Sequence, residues 1–124
     1  MTNKERIEGN ELIADFLDWP VSYKDDNGYV VYHVPNNFKE DTGEMELNTD
    51  GFMFDSDWNW LHFVWNKLHR DVLIPTLKMN PHLRREINDM VKDMRSSLKW
   101  SHIEGSFKVL VRIIKWYDTQ FSND

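Results

Sequence analysis

The sequence predicts an α+β fold, a mostly helical single domain in which three or four helices pack with a small antiparallel β-hairpin. Four segments carry apolar residues at helical spacing, and two short runs rich in β-branched and aromatic residues flank an Asn-Gly pair. Hydrophobic residues make up 40% of the 124 residues and aromatic residues 14%. A chain of this length and composition can bury one core, so we expect one compact domain spanning residues 1–124.

The first predicted helix covers residues 4–19. Its apolar positions follow helical spacing, and Pro20 is expected to end it. Asn10 is a candidate N-cap if Gly9 separates the first turn from the rest of the helix.

The predicted hairpin pairs residues 21–23 with residues 29–34. Between these runs lies the segment from Asp25 to Gly28, whose last two residues favour the positive φ angles of a hairpin turn. Residues 35–51 collect turn-forming residues, which predicts a loop or an edge segment. Residues 52–54 are predicted to add a short third strand.

The second predicted helix begins at Ser56 or Asp57, either of which can cap it. Pro75 is expected to kink or stop this helix. Its apolar residues recur at spacings of three and four: Trp58, Leu61, Trp65, Leu68 and Val72.

Two further helices are predicted in the last third of the chain. Asn80 and Pro81 supply a cap and a proline at the first helical position, and Ser101 with Glu104 forms a capping-box pattern. The expected inner face of the third helix is Leu83, Ile87, Met90, Val91, Met94 and Leu98. That of the fourth is Ile103, Phe107, Leu110, Ile114 and Tyr117.

Composition excludes several classes of protein. The chain has no Cys, which rules out disulfides and thiolate zinc sites and agrees with a reducing compartment. It opens on a mixed polar stretch, and no apolar run of about 18 residues occurs. We therefore expect a cytoplasmic protein without a membrane partner, and no motif predicts a cofactor.

Charge is unevenly distributed along the chain. Residues 1–57 hold 14 acidic and four basic side chains, and residues 58–124 hold seven acidic and 11 basic ones. Residues 40–57 contain no base, so they can imitate a phosphate backbone and occupy a cationic nucleic-acid channel; the alternative is a solvated loop. The acids predicted to bind there are Glu40, Asp41, Glu44, Glu46 and Asp50.

Basic and aromatic candidates follow in the second half of the chain. Lys108, Arg112 and Lys115 form a basic stripe on the fourth helix, available to contact a partner or nucleic-acid phosphates. A sequence pI near 5.3 makes direct nucleic-acid contact the less favoured role of this stripe. Trp60 points away from Trp58, so it either packs under the hairpin or stands exposed as an interface anchor.

No metal site is predicted. His62 and His69 are seven residues apart on one helix, roughly 10 Å along its axis, too far for one ion. The segment from Asp55 begins like a calcium loop, but Trp60 stands where that loop needs Gly. Helix capping explains its acidic residues better.

Three segments resemble a group of small proteins encoded by phages and prophages of Bacteroidota hosts. The matching residues are Asn10, Leu12-Ile13-Ala14 and Phe16; Trp58-Asn59-Trp60-Leu61; and Ile113-Ile114-Lys115-Trp116-Tyr117. Ser56 lies one residue too early, Asn59 replaces an Asp, and Ile113 replaces a Phe of the group's pattern. The match covers about a quarter of the chain, and it implies a phage origin and no chemistry.

The preferred hypothesis is a non-enzymatic, phage-encoded accessory protein that binds a host protein or protein–nucleic acid complex. Its concrete form is an inhibitor of a host defence nuclease, similar in role to an anti-CRISPR protein. One alternative is a structural or regulatory phage protein that self-associates through Trp60 and Tyr117. Another is a metal-assisted hydrolase that uses His62, His69 and distant carboxylates.

Overall fold

The computed structural model describes residues 1–34, 45–100 and 102–121. Within these ranges, four helical segments and a three-stranded antiparallel sheet form an α+β fold, as predicted. The chain divides into two compact units, Met1–Phe52 and Met53–Asp124. The expectation of one domain spanning the chain stays a prediction.

Helix α1 (Asn3–Phe16) begins earlier than its apolar pattern indicated. Thr2 caps it: the Thr2 hydroxyl accepts a hydrogen bond from the Glu5 N–H at 3.1 Å, and the Glu5 carboxylate accepts one from the Thr2 N–H at 3.3 Å. This reciprocal pair is a capping box. The prediction that Asn10 caps the helix is wrong, because Gly9 and Asn10 both lie within it and are buried.

The end of α1 is set by backbone hydrogen bonds and not by Pro20. The Asp18 N–H donates to the Asp15 carbonyl, and the Trp19 N–H donates to the Ala14 carbonyl. Asp18 adopts a φ of 59°, the left-handed conformation on which this type of helix end depends. The chain has therefore left the helix before Pro20 is reached.

The sheet consists of β1 (Val21–Lys24), β2 (Val30–Val34) and β3 (Met45–Asn48), in that order. The predicted hairpin of β1 and β2 is confirmed, with an irregular register between Val21 and Tyr23. The third strand is β3, so the prediction of a strand at residues 52–54 is wrong.

Asp25 organises the hairpin turn. Its carboxylate accepts hydrogen bonds from the N–H groups of Asn27 and Tyr29, each at 3.0 Å. It also accepts one from the side-chain amide of Asn48 at 2.9 Å, which ties the turn to the end of β3. Gly28 takes a φ of 83°, as the turn requires.

A buried polar contact joins α1 to the short 3-10 turn Thr49–Gly51 that follows β3. The Asn10 side-chain amide donates to the Thr49 carbonyl at 2.8 Å, and both residues are fully buried. Three buried aromatic side chains pack together in the same unit: the ring centroid of Phe52 lies 5.6 Å from that of Trp19 and 5.7 Å from that of Tyr32. This hydrogen bond therefore fixes where α1 lies within the first unit.

The second unit starts with one continuous helical run. It comprises α2 (Trp58–Lys67), a π-helical segment (Leu68–Leu73) and α3 (Ile74–Met79). The carboxylate of Asp57 caps α2 by accepting a hydrogen bond from the Asn59 N–H at 2.8 Å, which confirms the capping interpretation.

Pro75 neither stops this run nor ends α2. A proline has no N–H to donate and its ring crowds the carbonyl four residues earlier, here that of Asp71. The helix widens just before Pro75, and the Ile74 N–H donates to the carbonyl of His69, five residues back. The π-helical segment thus accommodates the proline, and the helix continues to Met79.

Two more helices complete the second unit: α4 (Arg84–Lys99), preceded by a 3-10 turn (Pro81–Leu83), and α5 (Ile103–Phe121). The prediction that the Asn80 side chain caps the next helix is wrong, because its amide donates to the Thr76 carbonyl at 3.2 Å instead. Ser101, predicted to cap α5, lies outside the described residues.

The predicted inner faces are largely confirmed. Most of the residues named for these helices are buried, while Trp58, Val72, Val91, Leu98, Ile103 and Tyr117 are half-buried. Side chains that are fully or almost fully buried in this unit include Phe54, Leu61, Val64, Leu68, Leu73, Ile87, Met94, Phe107, Leu110, Ile113 and Ile114.

Replacing Asn10 by Ala should lower the free energy of unfolding by about 2 kcal/mol, because the buried Thr49 carbonyl loses its side-chain donor. Urea denaturation followed by circular dichroism measures this change. Lys4→Ala, on an exposed face of the same helix, is the matched control and should change stability by less than about 0.5 kcal/mol. Equal stability of the two variants would contradict a fixing role for the Asn10 amide.

Candidate functional site

The charge imbalance follows the boundary between the two units. Met1–Phe52 carries 12 Asp and Glu against four Lys and Arg, a formal charge of −8. Met53–Asp124 carries nine Asp and Glu against 11 Lys and Arg, a formal charge of +2. The first unit is therefore the more acidic of the two by formal charge.

An acidic face on α1 concentrates this charge. Glu8, Glu11 and Asp15 follow one another at spacings of three and four residues, which places them on the same side of the helix. The buried residues Ile13 and Ala14 lie on another side. We call these three carboxylates the α1 acidic face.

The members of the α1 acidic face repel one another. Burial raises the pKa of Glu11 above its ordinary value, and the negative charges of Asp15 and Glu8 raise it further, while Lys24 acts in the opposite direction. Asp15 is held in place by the Tyr32 hydroxyl, which donates to its carboxylate at 3.0 Å. Tyr32 is almost fully buried, so a rigid donor keeps Asp15 beside Glu11 despite the repulsion.

Two acids predicted from the sequence are engaged within the first unit. Asp50 forms an ion pair and hydrogen bonds with Arg6, which also donates to the Asp50 carbonyl. Glu46, on the edge strand β3, accepts a hydrogen bond from the Ser22 hydroxyl at 3.2 Å. Glu40, Asp41 and Glu44 lie outside the described residues, so their role as binding residues stays a prediction.

The basic residues predicted on α5 are partly neutralised by neighbours. Arg112 donates to the Asp93 carboxylate on α4 at 2.6 Å, and Lys108 lies 3.8 Å from the Glu104 carboxylate one turn earlier. Lys115 is exposed and forms no ion pair with any residue in the described ranges. The predicted stripe therefore joins α4 to α5 at one position and leaves a single uncompensated cation.

Trp60 is buried, with 4% of its surface exposed, and its ring lies 5.1 Å from that of Phe54 in an edge-on arrangement. The alternative that it stands exposed as an interface anchor is therefore wrong, because its indole belongs to the core. Packing under the hairpin concerns the relation of the two units and stays a prediction. Tyr117, its proposed companion in self-association, is half-buried and contacts Phe121.

Both candidate histidines of α2 and the π-helical segment lie against indole rings. The ring centroids of His62 and Trp58 are 5.7 Å apart. His69 stacks on Trp65 with a centroid distance of 5.1 Å and an interplanar angle of 13°. In the part of the chain that the structure describes, no three His, Asp or Glu side chains come together as a metal site. Neither His62 nor His69 therefore belongs to such a group of three within those described residues.

No protein-family model, curated protein or solved structure matches this chain. Of the helices in the described ranges, none combines the length and the apolar character needed to cross a bilayer. Roles for individual residues therefore rest on their own charge, burial and contacts. On that basis the α1 acidic face, which the sequence-based prediction missed, is the strongest candidate site; the spacing of Glu8, Glu11 and Asp15 is the signal that identifies it.

Neutralising Glu11 should stabilise the protein near neutral pH. Folding raises the pKa of Glu11, so the protonated carboxyl favours the folded state. This contribution to the free energy of unfolding is complete below the ordinary pKa of Glu and is lost as pH rises through the folded-state pKa. Glu11→Gln removes the repulsion and should raise the free energy of unfolding by about 0.5 kcal/mol near pH 7, with no gain near pH 4. Urea denaturation at the two pH values measures the difference.

Asp118→Asn, an exposed acid on α5, provides the control for a general change in net charge. It should leave stability unchanged at both pH values. If Glu11→Gln were less stable than the parent protein near pH 7, the carboxylate would be stabilised by its surroundings and the acidic face would carry no strain.

Proposed function

We propose that this chain is a non-enzymatic protein of phage origin that acts by binding a cationic surface of a host macromolecule through its acidic first unit. The observation that carries this proposal is the α1 acidic face, where three carboxylates are kept together although their repulsion disfavours it. Lys4 lies 4.0 Å from the Glu8 carboxylate and Lys24 acts on Glu11, but these contacts do not remove the repulsion, because the pKa of Glu11 stays raised. A partner that supplies positive charge would relieve the repulsion and favour the complex.

The partner that best fits this chemistry is a host defence nuclease with a positively charged nucleic-acid channel. Such channels bind the phosphate backbone largely through charge, so a protein surface with regularly spaced carboxylates can compete for them. The proposed phage origin is based on the sequence resemblance, and the proposed binding surface is based on the position of the three acids on α1. Inhibition of a CRISPR effector is the concrete form of this proposal.

The proposal is tested by an inhibition assay with purified nuclease complexes of Bacteroidota hosts, using cleavage of their DNA targets as the readout. The full chain should inhibit cleavage and should bind the nuclease more weakly as salt rises, as expected for charge-driven association. The variant Glu8→Gln/Glu11→Gln/Asp15→Asn keeps side-chain size and should bind about tenfold more weakly or worse.

A matched control removes three exposed acids from the second unit: Asp71→Asn, Asp89→Asn and Asp118→Asn. It changes net charge by the same amount and should retain inhibition. Equal loss in both triple variants would point to net charge alone and contradict the assignment to α1. Binding of the chain to free DNA, or a mass that rises with concentration without any nuclease binding, would replace the proposal with nucleic-acid binding or self-association.

A further inference from the structure

A cavity of about 290 Å³ lies in the second unit, between the π-helical segment with α3 on one side and α4 on the other. Leu73 and Ile87, which are almost fully buried, are among its lining residues. Ile74, Leu77 and Val91 also line it and are only partly buried; Ile74 is 41% exposed. The cavity therefore offers apolar surface that the protein itself does not cover within the described residues.

The π-helical segment contributes directly to this cavity. His69 and Leu73 line it from the stretch where the helix widens, and Ile74 lines it as the first residue of α3, directly after that stretch. Short π-helical insertions in proteins occur frequently at functional sites. Here the widened segment and the start of α3 present His69 and Ile74 to the same space.

The polar lining of the cavity is basic. Lys92 and Arg95, three residues apart on α4, line it together with His69 and the amide of Asn88. No Asp or Glu is among the lining residues that the structure describes. Neither Lys92 nor Arg95 forms an ion pair with a residue in the described ranges, so both charges are available to a ligand.

His69 adds a hydrogen-bonding group without adding charge. Its ring stacks on Trp65, which restricts its orientation. Burial lowers the pKa of His69, and the positive charge of Arg95 lowers it further. Near neutral pH the imidazole is therefore neutral and can donate one hydrogen bond beside the two cations.

We propose that this cavity binds a small apolar carboxylate, with the carboxylate at Arg95 and Lys92 and the hydrocarbon part against Ile74, Leu77 and Val91. The guanidinium of Arg95 matches the two oxygens of a carboxylate, and Lys92 supplies a second donor. At about 30 Å³ for each small group, the volume accommodates about ten non-hydrogen atoms. This site is independent of the proposed function, because it lies wholly in the second unit.

Octanoate is the probe, since it has about this size, and octanamide is its neutral match. Titration of the full chain, followed by ¹H–¹⁵N correlation spectra, should give saturable shifts centred on Ile74, Val91 and Arg95. Octanoate should bind about tenfold more tightly than octanamide, the difference expected from hydrogen bonds to charged groups.

Three variants separate the parts of the site. Arg95→Gln and Lys92→Gln should weaken the binding of octanoate and leave the binding of octanamide unchanged. Ile74→Ser should weaken the binding of both ligands equally. Arg85→Gln, an exposed arginine on the same helix that does not line the cavity, is the control and should bind both ligands as the parent chain does.

Several outcomes would overturn the proposal. Equal affinity for octanoate and octanamide would remove the role of the two cations. Shifts that map outside the cavity, or the absence of saturable octanoate binding in a folded protein, would remove the site itself. The spectra report folding in the same experiment, so a misfolded variant cannot be mistaken for a loss of binding.

Discussion

The missing N–H of Pro75 is the constraint on which the shape of the second unit depends. A regular α-helix from Trp58 to Met79 would bring the proline ring against the carbonyl of Asp71. The chain widens its turns over Leu68–Leu73 instead of ending the helix. This solution keeps α2, the π-helical segment and α3 in one run.

The cavity beside α4 adjoins that adjusted segment. The widened segment contributes His69 and Leu73, α3 contributes Ile74, and α4 contributes Val91, Lys92 and Arg95. Apolar surface and uncompensated positive charge thereby share one concave space. In the first unit, by contrast, the notable charges are negative and lie on the surface of α1. The two candidate surfaces therefore differ in the sign of their charge and in the class of partner they suit.

Several predictions from the sequence failed for reasons that belong to particular residues. Asn10 has the chemistry of a helix cap, but the Thr2 and Glu5 pair supplies the cap earlier, and Asn10 serves a long-range hydrogen bond to Thr49 instead. Residues 52–54 have the composition of a strand, yet Met45–Asn48 pairs with β2. In both cases the local pattern was compatible with two structures, and contacts distant in sequence selected one.

Sequence by itself determined the α+β class, the hairpin at Asp25 to Gly28, a helix cap at Ser56 or Asp57 and most of the buried faces of α4 and α5. These features depend on neighbouring residues, through periodicity, turn conformation and local hydrogen bonds. Only the tertiary structure decided that Trp60 is buried, that Arg112 pairs with Asp93, and that His69 shares a cavity with Arg95. Each of these depends on which helices become neighbours, and that arrangement arises from packing the whole set of side chains at once.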